Sequence, residues 1–98
     1  MLFVIATIQI KPGTLDAVIA AATPCIEGTR KEEGCISYDL NVAVDDDTKL
    51  VFVERWESRA ALKAHFTAPH LVAWRDAGAP YTVARKVEII EDGKVEVL

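Results

Sequence analysis

The order of hydrophobic periods along the chain constrains its fold more than any other feature. Met1–Lys11 is apolar or β-branched at nearly every position, which reads as a strand buried on both faces. Lys11-Pro12-Gly13 is a turn. The period then becomes helical: Leu15, Val18, Ile19, Ala22, Ile26 and Thr29 share one stripe. Thr14 is placed to cap this helix, Asp16 suits its first turn, Pro24 predicts a kink, and Gly34 is a natural stop. Cys35–Val44 alternates, with Ile36, Tyr38, Leu40 and Val42 on one face and Ser37, Asp39 and Asn41 on the other. Asp45-Asp46-Asp47 forms a hairpin tip, and Lys49–Trp56 is a third strand. There Phe52, Glu54 and Trp56 face one way, and Val51, Val53 and Arg55 the other. Ser58 caps a helix over Arg59–Phe66, and Pro69 opens another that ends before Gly78. Tyr81–Glu91 is the fourth long strand; Asp92-Gly93 turns it into a tail strand, Val95–Leu98.

This order, β-α-β-β-α-β plus a tail, is that of an α+β ferredoxin-like sandwich with an antiparallel sheet. The 98 residues suit one domain, 1–98. Its helices cover only one sheet face, yet the first and third strands are apolar on both. Half the residues are apolar, 51%, and a chain of this size buries only about 60–65% of its extended surface. A homodimer through the open sheet face is therefore expected, with the tail strand crossing to the partner.

Charge and composition exclude several roles. Eleven basic residues are scattered among fifteen acidic ones, so no clustered basic face exists to bind nucleic acid. No apolar run approaches the roughly 20 residues needed to span a bilayer. Met1–Ala6 lacks the basic flank and cleavage site of a signal peptide. Cys25 and Cys35 read as two reduced, buried thiols of a cytoplasmic protein, not as a disulfide framework. The acidic tip has no further ligands at calcium-loop spacing. No phosphate-binding glycine loop, dinucleotide fingerprint or H-E-x-x-H is present. Two histidines without suitably spaced acids predict no metal site.

What remains is a set of polar and aromatic groups on core-facing positions. His65 shares the inward stripe of its helix with Leu62 and Phe66. His70 lies one turn before Trp74, beside Leu71. Imidazoles in apolar surroundings lose basicity, and a neutral one can accept a phenolic proton. Glu54 sits between Phe52 and Trp56 on one strand face, and a buried carboxylate requires a partner; His65, Arg75 and Arg85 are the candidates. Catalytic roles are thus open to His65, His70 and Glu54. Tyr38, Trp56, Phe66, Trp74 and Tyr81 offer flat surfaces, several with polar handles, to an aromatic ligand.

These positions carry a family resemblance. The opening strand before Lys11-Pro12-Gly13, Glu33-Gly34-Cys35-x-x-Tyr38, Phe52-x-Glu54-x-Trp56 and Leu62-x-x-His65-x-x-x-Pro69-His70 together resemble the antibiotic biosynthesis monooxygenase (ABM) family. The resemblance covers nearly the whole chain and implies a dimeric α/β barrel. Many members oxidise quinols or other polyphenols without metal or flavin, so it implies no cofactor and a small aromatic substrate between sheet and helices. Haem-degrading members carry Asn where this chain has Thr7 and a haem-ligating His where it has Arg75, which argues against that activity here. Two other roles fit the same residues: an isomerase or epimerase of a small carbonyl compound, with or without a phosphate, and a dimeric ligand-binding or stress-response module without turnover.

Overall fold

A computed structural model describes residues 1–98. Strand β1 (Leu2–Ile10) leads through α1 (Leu15–Thr29) to the hairpin of β2 (Cys35–Ala43) and β3 (Asp46–Trp56). Helices α2 (Arg59–Phe66) and α3 (Pro69–Gly78) follow, then a 3-10 turn at Ala79–Tyr81, β4 (Thr82–Glu91) and β5 (Lys94–Val97). The strands form one open antiparallel sheet in the order β2-β3-β1-β4-β5. This is the α+β ferredoxin-like arrangement that the hydrophobic periods predict. No helix is long and apolar enough to cross a membrane.

Period-2 alternation sorts the side chains onto two faces. Leu2, Val4, Ile8 and Ile10 of β1, Leu50, Phe52, Glu54 and Trp56 of β3, Tyr38 of β2 and Ile89 of β4 are all buried. They pack beneath Val18, Ala22 and Cys25 of α1, Leu62 and His65 of α2, and Leu71 and Trp74 of α3. The opposite face carries Phe3, Ile5, Val51, Val53, Ile90, Val95 and Val97, of which Phe3, Val95 and Val97 are exposed.

Several local expectations are corrected. Helix α1 passes through Pro24 and ends at Thr29, so Gly34 does not stop it. Instead Gly34 turns the chain into β2 at φ +85°, and a Cβ there would lie 2.4 Å from that of Ala61. Thr14 caps α1 through its carbonyl, because its hydroxyl donates back to Lys11 O at 2.6 Å. The hairpin tip falls on Val44-Asp45; Asp46 opens β3 and accepts from both the N–H and the hydroxyl of Thr48. Ile36 leaves the inward face because the β2–β3 register shifts between Cys35 and Ser37. Ala79–Tyr81 is a 3-10 turn, so β4 begins at Thr82 and not Tyr81. The tail strand stays with its own chain: Asp92 (φ 52°) and Gly93 (φ 74°) make a tight turn that folds β5 back onto β4.

Candidate active site

The site lies where α2, α3 and the sheet meet. Ser58 caps α2 by accepting from Ala61 N at 3.2 Å, which fixes the helix phase and turns Leu62 and His65 inward. His65 is only 2% exposed. Its Nδ1 lies 2.7 Å from Oε2 of Glu32, and Nε2 of His70 lies 2.8 Å from the same oxygen. Glu32 sits in the short loop after α1. Its N–H donates to Thr29 O at 3.0 Å and its carbonyl accepts from Cys35 N at 3.2 Å, so turn hydrogen bonds hold its backbone on both sides.

A carboxylate oxygen only accepts, so both imidazoles donate to Glu32. Burial lowers the pKa of His65 and outweighs the opposing pull of Glu32; His70 and Arg75 lower it further. Burial thus favours the neutral ring, and the bond to Glu32 favours the tautomer with its proton on Nδ1. Nε2 has no hydrogen-bond partner in the chain. Since no sealed side-chain nitrogen or oxygen is left unpaired, Nε2 keeps access to the cavity that His65 lines.

Glu54 stands on the opposite wall of that cavity. Its partner is none of the three candidates named from the sequence. Oε1 accepts from Nε1 of Trp56 at 3.0 Å, two residues along the same strand face. Burial pushes the Glu54 carboxyl up to about 7, the Trp56 hydrogen bond only partly opposing it. Oε2 makes no bond in the chain and, by the same reasoning, opens on the cavity.

The cavity itself is small, about 50 Å³, and its walls are mostly apolar. Tyr38, Phe66 and Trp74 line it with His65 and Glu54, as the strand and helix phases predict. Trp56 is wholly buried and serves Glu54 without reaching the wall. His70 lies behind His65, on the far side of Glu32, and Tyr81 lines neither this cavity nor the groove beside it. The Tyr38 hydroxyl turns toward Cys25 Sγ at 3.8 Å, and burial raises its pKa. The inner cavity has room for about one or two waters but not for an aromatic ring, since ligand pockets begin near roughly 300 Å³. It adjoins an outer groove of about 400 Å³, and Ile8, Trp74, Arg75 and Arg85 line both.

Glu32 is the member that sequence reasoning missed. In Lys31-Glu32-Glu33 it reads as a solvated charge, and only the turn after α1 brings it to the histidines. It also supplies the acid whose absence argued against a metal. The ligand atoms of Glu32, His65 and His70 lie within 4.8 Å of one another, an N,N,O set that a divalent cation accepts. A cation there would have to displace both hydrogen bonds.

The fold and site define a small α+β domain with a histidine–carboxylate pair beside an apolar cavity. Residues 1–77 match the family model described as antibiotic biosynthesis monooxygenase, and the chain belongs to that family. It is 32% identical to the "Probable quinol monooxygenase YgiN" of Escherichia coli K12, covering 95% of this chain and 99% of that protein. It is 35% identical to the uncharacterized protein sll1783 of Synechocystis, covering 84% of this chain but only 55% of that longer protein. The solved structure of Rv0793 from Mycobacterium tuberculosis superposes with a TM-score of 0.83 at 33% identity, covering 92% of each chain.

Proposed function

We propose that this protein is a monooxygenase that oxidises a quinol or other small polyphenol with dioxygen, the substrate itself supplying the electrons without metal or flavin. The observation that carries the reading is the placement of His65: buried, held at Nδ1 by Glu32, and lining a mostly apolar cavity, where burial favours the neutral ring. The mostly apolar walls favour an aromatic substrate over a polar carbonyl compound. The name of the E. coli relative agrees with this reading.

In the proposed reaction the aromatic ring lies in the outer groove against Trp74, its hydroxyl directed inward. The inner cavity, sized for a water, admits dioxygen. His65 Nε2 takes the phenolic proton as general base. The phenolate passes one electron to dioxygen, and the two radicals join at a ring carbon as a peroxide. His65 returns its proton to the peroxide. Loss of the ring C–H proton then expels hydroxide and leaves a carbonyl. The expelled hydroxide and the released proton combine as water, so one oxygen atom enters the product and the other leaves as water. Glu54, with its carboxyl near neutrality, is placed to carry a proton on the opposite wall. His70 and Glu32 hold His65 in register behind the reacting face.

Oxygen uptake with anaerobically reduced quinols tests this. His65→Ala should lower kcat/KM by roughly 10²-fold or more, the range of a general base. Turnover equal to buffer, or unchanged in the variant, would sink the reading.

We infer further that two copies pair through the open sheet face, where Ile5, Val51 and Val53 lie side by side. Val53→Lys places a charge in that patch and should yield monomers in sedimentation velocity. A wild-type protein already monomeric at micromolar concentration contradicts the inference.

A further inference from the structure

The outer groove contains a feature that proton abstraction does not use. Arg85 projects from β4 on the helix-facing side, opposite Ile8 in the register. Arg75 comes from the last turn of α3, next to Trp74. Both line the outer groove and the inner cavity, so two solvent-exposed arginines, one from α3 and one from β4, border the same two spaces. Neither makes a salt bridge or a side-chain hydrogen bond, although Arg30, Lys49, Arg59 and Lys86 all pair with carboxylates. The chain has fifteen acidic residues to eleven basic ones, so available carboxylates are not scarce. A basic residue in the last turn of α3 suits the helix dipole, which accounts for Arg75 alone. The dipole gives no reason for Arg85, on a strand, to stand beside it. Trp74 and Ile8 complete the groove with apolar surface.

We propose that the outer groove is a binding site for an aromatic acid, its ring against Trp74 and its carboxylate held between Arg75 and Arg85. Guanidinium groups match a carboxylate with paired N–H donors, a geometry that lysine does not supply. The groove volume, about 400 Å³, falls in the range of small-molecule sites. The proposal names the substrate class of the proposed oxidation and rests on that reading for turnover only. Binding can be measured without it. The arrangement also fits the charge of the site: a carboxylate there would offset Arg75, whose charge adds to the lowering of the His65 pKa.

The test is isothermal titration of the full chain with 1-hydroxy-2-naphthoate and with 1-naphthol, which differ by the carboxylate. At low salt the naphthoate should bind about 10-fold tighter, the scale of a charge-assisted bidentate contact. That preference should shrink at 0.3 M salt and disappear in the Arg75→Gln/Arg85→Gln double variant, whose thermal melt serves as the check on folding. His65→Ala should keep the preference while losing turnover, which separates the failure of this proposal from failure of the oxidation reading. Equal binding of the two ligands, no binding of either at millimolar concentration, or a preference that survives in the double variant would overturn it. So would displacement of the naphthoate by an equal concentration of inorganic phosphate, which would make the site a plain anion trap.

Discussion

The two walls of the inner cavity each present one ionisable group, and the two groups are held in different ways. On the helix wall His65 is tied to a carboxylate from a distant loop, 33 residues earlier in the chain. On the sheet wall Glu54 is tied to a neutral indole two residues away on its own strand. Burial acts on both and disfavours the charged form of each, so it moves the two pKa values past each other: His65 downward from 6.5, Glu54 up from 4.5 to about 7. Burial thus favours a neutral imidazole on one wall and raises the carboxyl toward neutrality on the other, across a space too small for an aromatic ring. Environment assigns the two roles, as it does wherever paired ionisable groups face one cavity.

The sharpest way to break the contrast is to remove the charged tie. Glu32→Ala leaves the His65 Nδ1–H buried without its acceptor, at a cost of about 1–3 kcal/mol. It also frees the ring to rotate or change tautomer. We expect a fall in kcat/KM of roughly 10²-fold, comparable to that expected of His65→Ala. Glu32→Gln retains an oxygen acceptor and should recover most of the stability but little of the activity. Equal activity of Glu32→Ala and wild type in oxygen uptake would show that His65 needs no such anchor.

The sheet wall is tested by pH. Glu54 has an ordinary value of 4.5 and a folded value near 7, so the folded state binds more protons than the unfolded between these limits. Its contribution is fully present below pH 4.5 and is lost as pH rises through about 7. The maximum difference is about 3 kcal/mol by linkage. His65 acts in the opposite sense: its lowered value favours the fold above the ordinary histidine range, and that advantage is lost as pH falls. Glu54→Gln removes only the first slope. Urea melts at pH 4.5 and pH 8 should show wild type losing stability relative to Glu54→Gln as pH rises. Parallel curves would mean that Glu54 is not desolvated as its surroundings indicate.

The same contrast explains what the sequence made legible. Glu54 and Trp56 are two apart on a strand, so period-2 alternation alone puts them on one face, though it did not identify them as partners. Leu62, His65 and Phe66 follow helical spacing, and all three face the core side as expected. Glu32 has no periodicity to betray it, because a turn between α1 and β2 obeys no repeat. The order of elements along the chain, and with it the fold class, followed from the succession of periods. The bulge at Ile36 and the end of α1 at Thr29 did not, because each depends on backbone geometry that many side chains tolerate. Trp56 and Tyr81 show the limit of strand phase and composition. Trp56 faces inward yet is sealed behind Glu54, and Tyr81 falls in a turn outside both spaces.

The smallest effect concerns the seat of His70 behind the helix wall. A Cβ on Gly28 would meet Cγ and Nδ1 of His70 at 2.9 Å each and its Cβ at 3.3 Å. The Cβ is fixed by the backbone, and moving Cγ and Nδ1 aside takes a change of χ1 that swings the ring away from Glu32. Gly28→Ala gains about 0.5–1 kcal/mol of helix propensity but overpacks the site at about 1–3 kcal/mol. The net loss, on the order of 1 kcal/mol, should lower Tm by about 4–8 °C. The displaced ring weakens its bond to Glu32 while His65 keeps its own, so kcat should fall less than 10-fold. His70→Ala should reproduce that fall in activity without the overpacking. If Gly28→Ala matches wild type in both Tm and kcat, the helix wall relies on the His65–Glu32 pair alone.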